Sequence, residues 1–228
     1  MGFGIQRAVH FRCAEEQDCT VIVPVRTLIY IPIIHTQADM GRLGEAIRQL
    51  SIEKLGHQEW ERNVQAIGQL WSGIREAIEG QDLPYAQVRV YQDGLPDCGR
   101  EAEIVVDLAN AGSPNHQLLL YLMEKGARLM GTESPDLLLK EYQLVQEIVH
   151  ARDLGEAEQV ESRQEALSQS LLEQRDRYIA RRINETLGEG ETGILFLGML
   201  HGLEGRLDGD IQVSYPILRP AASERKKS

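Results

Sequence analysis

Apolar positions along this chain fall into two kinds of run. Five are short: 26–34 (RTLIYIPII), which is apolar and β-branched, 86–91 (AQVRVY), 127–130, 193–198 (GILFLG) and 211–215. Runs of this length predict strands, and the continuous ones predict strands buried on both faces. Pro32 interrupts the first and argues for an edge or a bulge there, because proline has no ladder donor. Between these runs the apolar residues recur at three or four positions, which predicts helices over 41–79, 101–111, 115–125, 134–150 and 157–187. Gly56 should interrupt the first of these, and Ser134 followed by Pro135 supplies a cap and a first-turn proline for the fourth. Residues 1–20 carry no sustained period and read as irregular chain or an edge strand.

Strands alternating with helices predict an α/β fold, a mainly parallel sheet flanked by helices. The stretch 134–187 contains no strand and should form a helical hairpin inserted before the last strands. We expect one domain over 1–218 and a flexible basic tail over 219–228, where Arg225, Lys226 and Lys227 cluster.

Composition narrows the function classes. A net charge of −11 over 228 residues opposes a phosphate backbone, so no nucleic-acid partner is expected. No apolar stretch is long enough to span a bilayer and no signal-like start is present, so neither a membrane partner nor export is expected and the cytoplasm is the expected compartment. Cys13, Cys19 and Cys98 are odd in number and have no close C-x-x-C spacing, which reads as reduced thiols. There is no phosphate-cradling glycine motif and no G-x-S-x-G elbow.

Ligands of open α/β sheets bind beyond the carboxyl ends of the strands. Four residues follow apolar runs in that way: His35, Asp93, Glu133 and His201. Each alone is equally read as a polar end-of-strand residue, but the set would meet at one edge of the sheet. Two imidazoles with carboxylates could bind a divalent metal ion, through His35 and His201, or move protons. Arg175 adds a fifth candidate. It lies on the apolar row Leu172, Ile179 and Ile183, so its charge points inward and demands a carboxylate or a substrate anion; Asp176 lies beside it. His10, His57, His116 and His150 fall outside the strand ends and read as surface or core residues.

The segments IIHTQADMG, GTES, QRDRYIARRI and GILFLGMLHGLEG resemble the superfamily that contains TraB/PrgY, TIKI-type proteases, erythromycin-esterase-like proteins and ChaN-like proteins. Ile33 and Ile34 replace the Gly-Thr usual before the first histidine, and Gln174-Arg175-Asp176 stands where Glu-Arg-Asn is usual. The resemblance implies paired site histidines at His35 and His201, a helix arginine at Arg175 and an acidic site residue at Glu133. Its members span proteases, an esterase, a haem-linked protein and signalling regulators, so it does not choose a reaction.

From these residues we expect a hydrolase, metal-assisted or not, acting on a small-molecule or peptide substrate. Glu133 or Asp93 would activate water and Arg175 would orient the carboxylate. The rival expectation is a non-catalytic protein that binds a small molecule or haem in the same pocket. The apolar row on the last long helix could also pair a homodimer, although packing on the chain's own sheet is the simpler use.

Overall fold

The computed structural model describes residues 7–11, 19–23, 25–151 and 153–216. The basic tail at 219–228 and Cys13 lie outside the described residues. Strands β1 (Arg7–Phe11) and β2 (Cys19–Val23) pair antiparallel as a two-stranded sheet, so the described part of the segment without a clear period is strand. Its strands are too short to show a period from sequence alone.

Five strands form one parallel sheet: β3 (Arg26–Ile33), β4 (Val88–Gln92), β5 (Arg128–Met130), β6 (Thr192–Gly198) and β7 (Ile211–Ser214), in the order β5-β4-β6-β3-β7. The expected α/β architecture is therefore present. Pro32 sits in a central strand, yet the ladder to β7 ends at Ile29, so at Pro32 only β6 is alongside. A missing donor on the open side costs no ladder bond. The stretch 86–87, expected as strand, is a 3-10 turn (Tyr85–Gln87) that feeds β4.

One face of the sheet is covered by α2 (His57–Glu79), α3 (Glu101–Asn110) and α4 (Pro114–Glu124). Trp71, Ile74, Ile78, Val105, Leu118, Leu119 and Leu122 pack there on Ile29, Ile31, Ile33, Val88, Val90, Ile194 and Phe196. A 3-10 turn (Gln37–Leu43) and α1 (Gly44–Leu55) precede α2, and the break at Gly56 uses a φ of 81° that a side chain would resist. On the other face lies the carboxyl half of α6 (Leu154–Thr186), whose Ile179, Ala180 and Ile183 meet Leu28, Tyr30, Tyr91, Leu195 and Leu197. The apolar row on this helix thus serves the chain's own sheet. Its amino half pairs with α5 (Pro135–Val149) as the expected hairpin. No described helix is long and apolar enough to cross a membrane.

Arg26 opens β3 and donates to the Asn184 carbonyl at 2.7 Å, to Asp208 at 2.9 Å and to Asp210 at 2.7 Å. These bonds pin the connection between β6 and β7, the segment that carries His201. Phe196 is fully buried at the centre of the sheet and its ring centroid lies 6.3 Å from that of Trp71. We expect Phe196→Ala to lower the unfolding free energy by ~3–5 kcal/mol, the cost of a large core cavity, measured by urea denaturation.

Candidate active site

Order along the sheet decides which residues meet. Strand β6 lies between β4 and β3, so Asp93, just beyond β4, must cross the end of β6 to reach His35, just beyond β3. It crosses over Gly198. A Cβ there would stand 2.7 Å from Asp93 Oδ2, 3.6 Å from His201 Cδ2 and 3.7 Å from His35 Nε2. The glycine thus lets three functional side chains close over one strand end, and its own N–H donates to Asp93 Oδ2 at 2.8 Å.

Asp93 is buried, and every side of its carboxylate is occupied. Oδ2 accepts from Gly198 and from His35 Nε2 at 3.0 Å, and lies 3.5 Å from His201 Nε2; Oδ1 accepts from Arg175 at 2.8 Å. Burial alone would push its pKa up, but the His35 hydrogen bond and the charges of His201, His35 and Arg175 win, and the carboxyl falls far below its ordinary 3.8. It is an anion that accepts and cannot donate.

Arg175 points inward, as its place on the apolar row requires. Its guanidinium donates to Glu133 at 2.6 and 2.7 Å, to Asp93, and to Glu141 on α5. Glu133 is fully buried, and its Oε1 also accepts the Gly94 N–H at 2.7 Å. Burial pushes this carboxyl up, against the pull of Arg175. Glu133 is absent from the cavity wall, and the oxygens of Asp93 are spent, so neither carboxylate expected to activate water has one to spare. Both instead hold a neighbour in place.

The two histidines differ. His201 is buried on the loop after β6, with Nδ1 donating to Asp176 at 2.6 Å while Asp176 also takes the Gly202 N–H at 3.1 Å. Burial pulls its pKa down, but the Asp176 hydrogen bond and the Asp93 charge outweigh burial and raise it above 6.5. His35 is the accessible member, its side chain 28% exposed. Burial lowers it too, and the hydrogen bond and charge of Asp93, with the charge of Asp39, raise it in net. Asp176 was legible only as the neighbour of Arg175; its pairing with His201 spans 25 residues and left no local signal.

These side chains line one end of a cavity of about 530 Å³ whose remaining wall is mostly apolar, including Ile33, Leu108, Leu138, Val145, Leu172 and Leu200. Among the described residues no three His, Cys, Asp or Glu side chains stand so as to hold a metal ion. The imidazoles of His35 and His201, expected as metal ligands, converge on one oxygen of Asp93, and a guanidinium already holds the other. This donor set does not fit a divalent cation. Two further cavity residues, Asp39 and His116, were not expected in the site. Their signal was faint: Thr36-x-x-Asp39 reads as a helix-capping pair just after His35, and Ser113-Pro114 as a helix start.

Two outcomes test this network. Gly198→Ala forces the Asp93 carboxylate away from its donors, and we expect a loss of ~1–3 kcal/mol in urea unfolding, the usual cost of overpacking. The raised histidines stabilise the fold fully below pH 6.5, and that contribution is lost as pH rises through their folded-state values. The urea midpoint should therefore be higher at pH 5.5 than at pH 8.5, and His201→Gln should shrink the difference.

No family model matches this chain, and neither a curated protein nor a solved structure does.

Proposed function

We propose that the chain is a hydrolase for small, largely apolar esters or amides, with His35 as general base. The observation that carries this reading is the His35–Asp93 hydrogen bond of 3.0 Å at the edge of the cavity. An anionic Asp93 must accept, so His35 Nε2 carries the hydrogen and Nδ1 is the nitrogen that takes a proton from water. Asp93 orients the ring and stabilises the imidazolium that forms, and Gly198, Arg175 and Glu133 hold Asp93. Arg175 and His201 line the same cavity and would supply positive charge towards the substrate oxygen. The cavity, at about 530 Å³ and mostly apolar, suits a molecule of drug-like size. The resemblance to the TraB, TIKI, erythromycin-esterase and ChaN group agrees with a hydrolase whose site includes His35 and His201. No step here uses a metal.

Initial rates on a panel of p-nitrophenyl esters and anilides test the reading. His35→Gln should lower kcat/KM by ~10²–10⁴, the usual worth of a general base. Because the base must be neutral, wild-type rates should climb with pH through a value above 6.5. Asp93→Asn removes the group that raises His35 and should move that limb to lower pH while lowering the plateau. Full activity in His35→Gln, or no turnover of any substrate by the wild type, would overturn the assignment and leave a ligand-binding pocket.

A further inference from the structure

A third imidazole borders the same cavity. His116 is 5% exposed and lies in the first turn of α4, where Ser113 is the N-cap. Asp39, from the 3-10 turn after β3, receives the Ser113 hydroxyl on Oδ1 and both the Thr36 N–H (2.5 Å) and the Thr36 hydroxyl (2.9 Å) on Oδ2. Burial pushes the Asp39 pKa up, yet the His116, Ser113 and Thr36 hydrogen bonds bring it down in net, so it too is an accepting anion.

That assignment fixes the protons. The single hydrogen of Ser113 Oγ goes to Asp39, so the hydroxyl can only accept from His116, and it does so from the backbone N–H at 3.2 Å and from Nδ1 at 2.7 Å. Nδ1 also lies 3.3 Å from Asp39 Oδ1. His116 is therefore held with its hydrogen on Nδ1, and Nε2 is the nitrogen left to exchange a proton. Among the described residues Nε2 has no partner. A buried imidazole oriented by a serine and a carboxylate, with its second nitrogen unpaired beside a cavity, is more than a helix cap needs. Capping uses only the serine oxygen and a backbone N–H.

Resting on the hydrolase reading, we propose that His116 is the general acid of this site and serves substrates with poor leaving groups, such as alkyl esters. The segment His35-Thr36-x-x-Asp39 links the two halves, since Asp93 orients His35 and Asp39 anchors His116. The charge of Asp39 also reaches His35. In the reaction the water oxygen bonds to the acyl carbon, and His35 Nδ1 takes the water proton. The bond from the acyl carbon to the leaving oxygen breaks with its electron pair on oxygen, and that oxygen takes a proton from Nε2 of a His116 ring protonated on both nitrogens, which leaves the ring with its hydrogen on Nδ1. His35 then returns its proton to solvent and His116 regains one. The net change is ester plus water to acid plus alcohol, with no oxidant or cofactor.

The test compares ethyl hexanoate, whose alkoxide needs a proton to leave, with p-nitrophenyl hexanoate, whose phenolate does not. The ratio of the two rates does not depend on how much of a variant is folded. His116→Gln should slow the ethyl ester by ~100-fold, a modest value for general acid catalysis, and leave the p-nitrophenyl ester within a few-fold of wild type. Should His116→Gln not fold, Asp39→Asn should lower the same ratio. If His35→Gln abolishes both reactions while the ratio stays at its wild-type value in the His116 and Asp39 variants, the general acid is overturned and the hydrolase stands. If the wild type cleaves neither ester nor any of the panel, both readings fall together.

Discussion

A buried carboxylate that stays charged is the constraint on which this structure turns. Removing an ion from water costs several kcal/mol even after the surroundings relax, and only close partners repay it. Asp93 meets that cost with a backbone N–H, two imidazoles and a guanidinium, contributed by β6, by the loops after β3 and β6, and by α6. Each partner then imposes a demand of its own. The N–H can come close only if residue 198 has no side chain, and the guanidinium needs further acceptors, which Glu133 and Glu141 supply. His201 needs Asp176 to settle its ring. Around Arg175 and the two imidazoles stand five carboxylates, Asp39, Asp93, Glu133, Glu141 and Asp176, and those beside the imidazoles explain why both histidines hold protons more tightly than a free imidazole does.

Strand order makes the network possible. Because β6 is inserted between β3 and β4, the ends of three strands that are distant in sequence lie side by side, with one small residue in the middle. The helical hairpin then brings in Arg175 from one side, and the turn after β3 brings in Asp39 towards α4 from the other. Asp93, Glu133, Arg175 and His201 are buried and bonded to one another or to Asp176, whereas His35 and His116 each keep a nitrogen uncommitted. In the proposed reaction this division separates residues that hold from residues that exchange protons.

Much of this could be read from sequence where the signal was local. Hydrophobic period marked each strand of the sheet and each long helix, because burial on one face imposes spacing on neighbouring residues. Gly56 marked the break between α1 and α2, and Arg175 announced itself as a charge on an apolar row. His35, Asp93, Glu133 and His201 stood out by position after apolar runs, and the fold brings all four to one edge of the sheet. Their roles were not legible. Whether a carboxylate is a base or a support depends on how many donors reach it, and for Asp93 and Glu133 those donors lie 39 to 105 residues away.

By itself, then, the sequence determined the strands of the parallel sheet, the long helices, the α/β class and the strand-end position of the principal site residues, since these follow from the short-range geometry of helices and strands. Tertiary structure decided the rest. The insertion of β6 chose the partners of Asp93, the packing of α6 turned Arg175 onto three carboxylates, and the meeting of the 3-10 turn with α4 made a unit of Asp39, Ser113 and His116. Those contacts join residues many tens of positions apart, and no periodicity encodes a contact between elements whose order in space the chain has yet to choose.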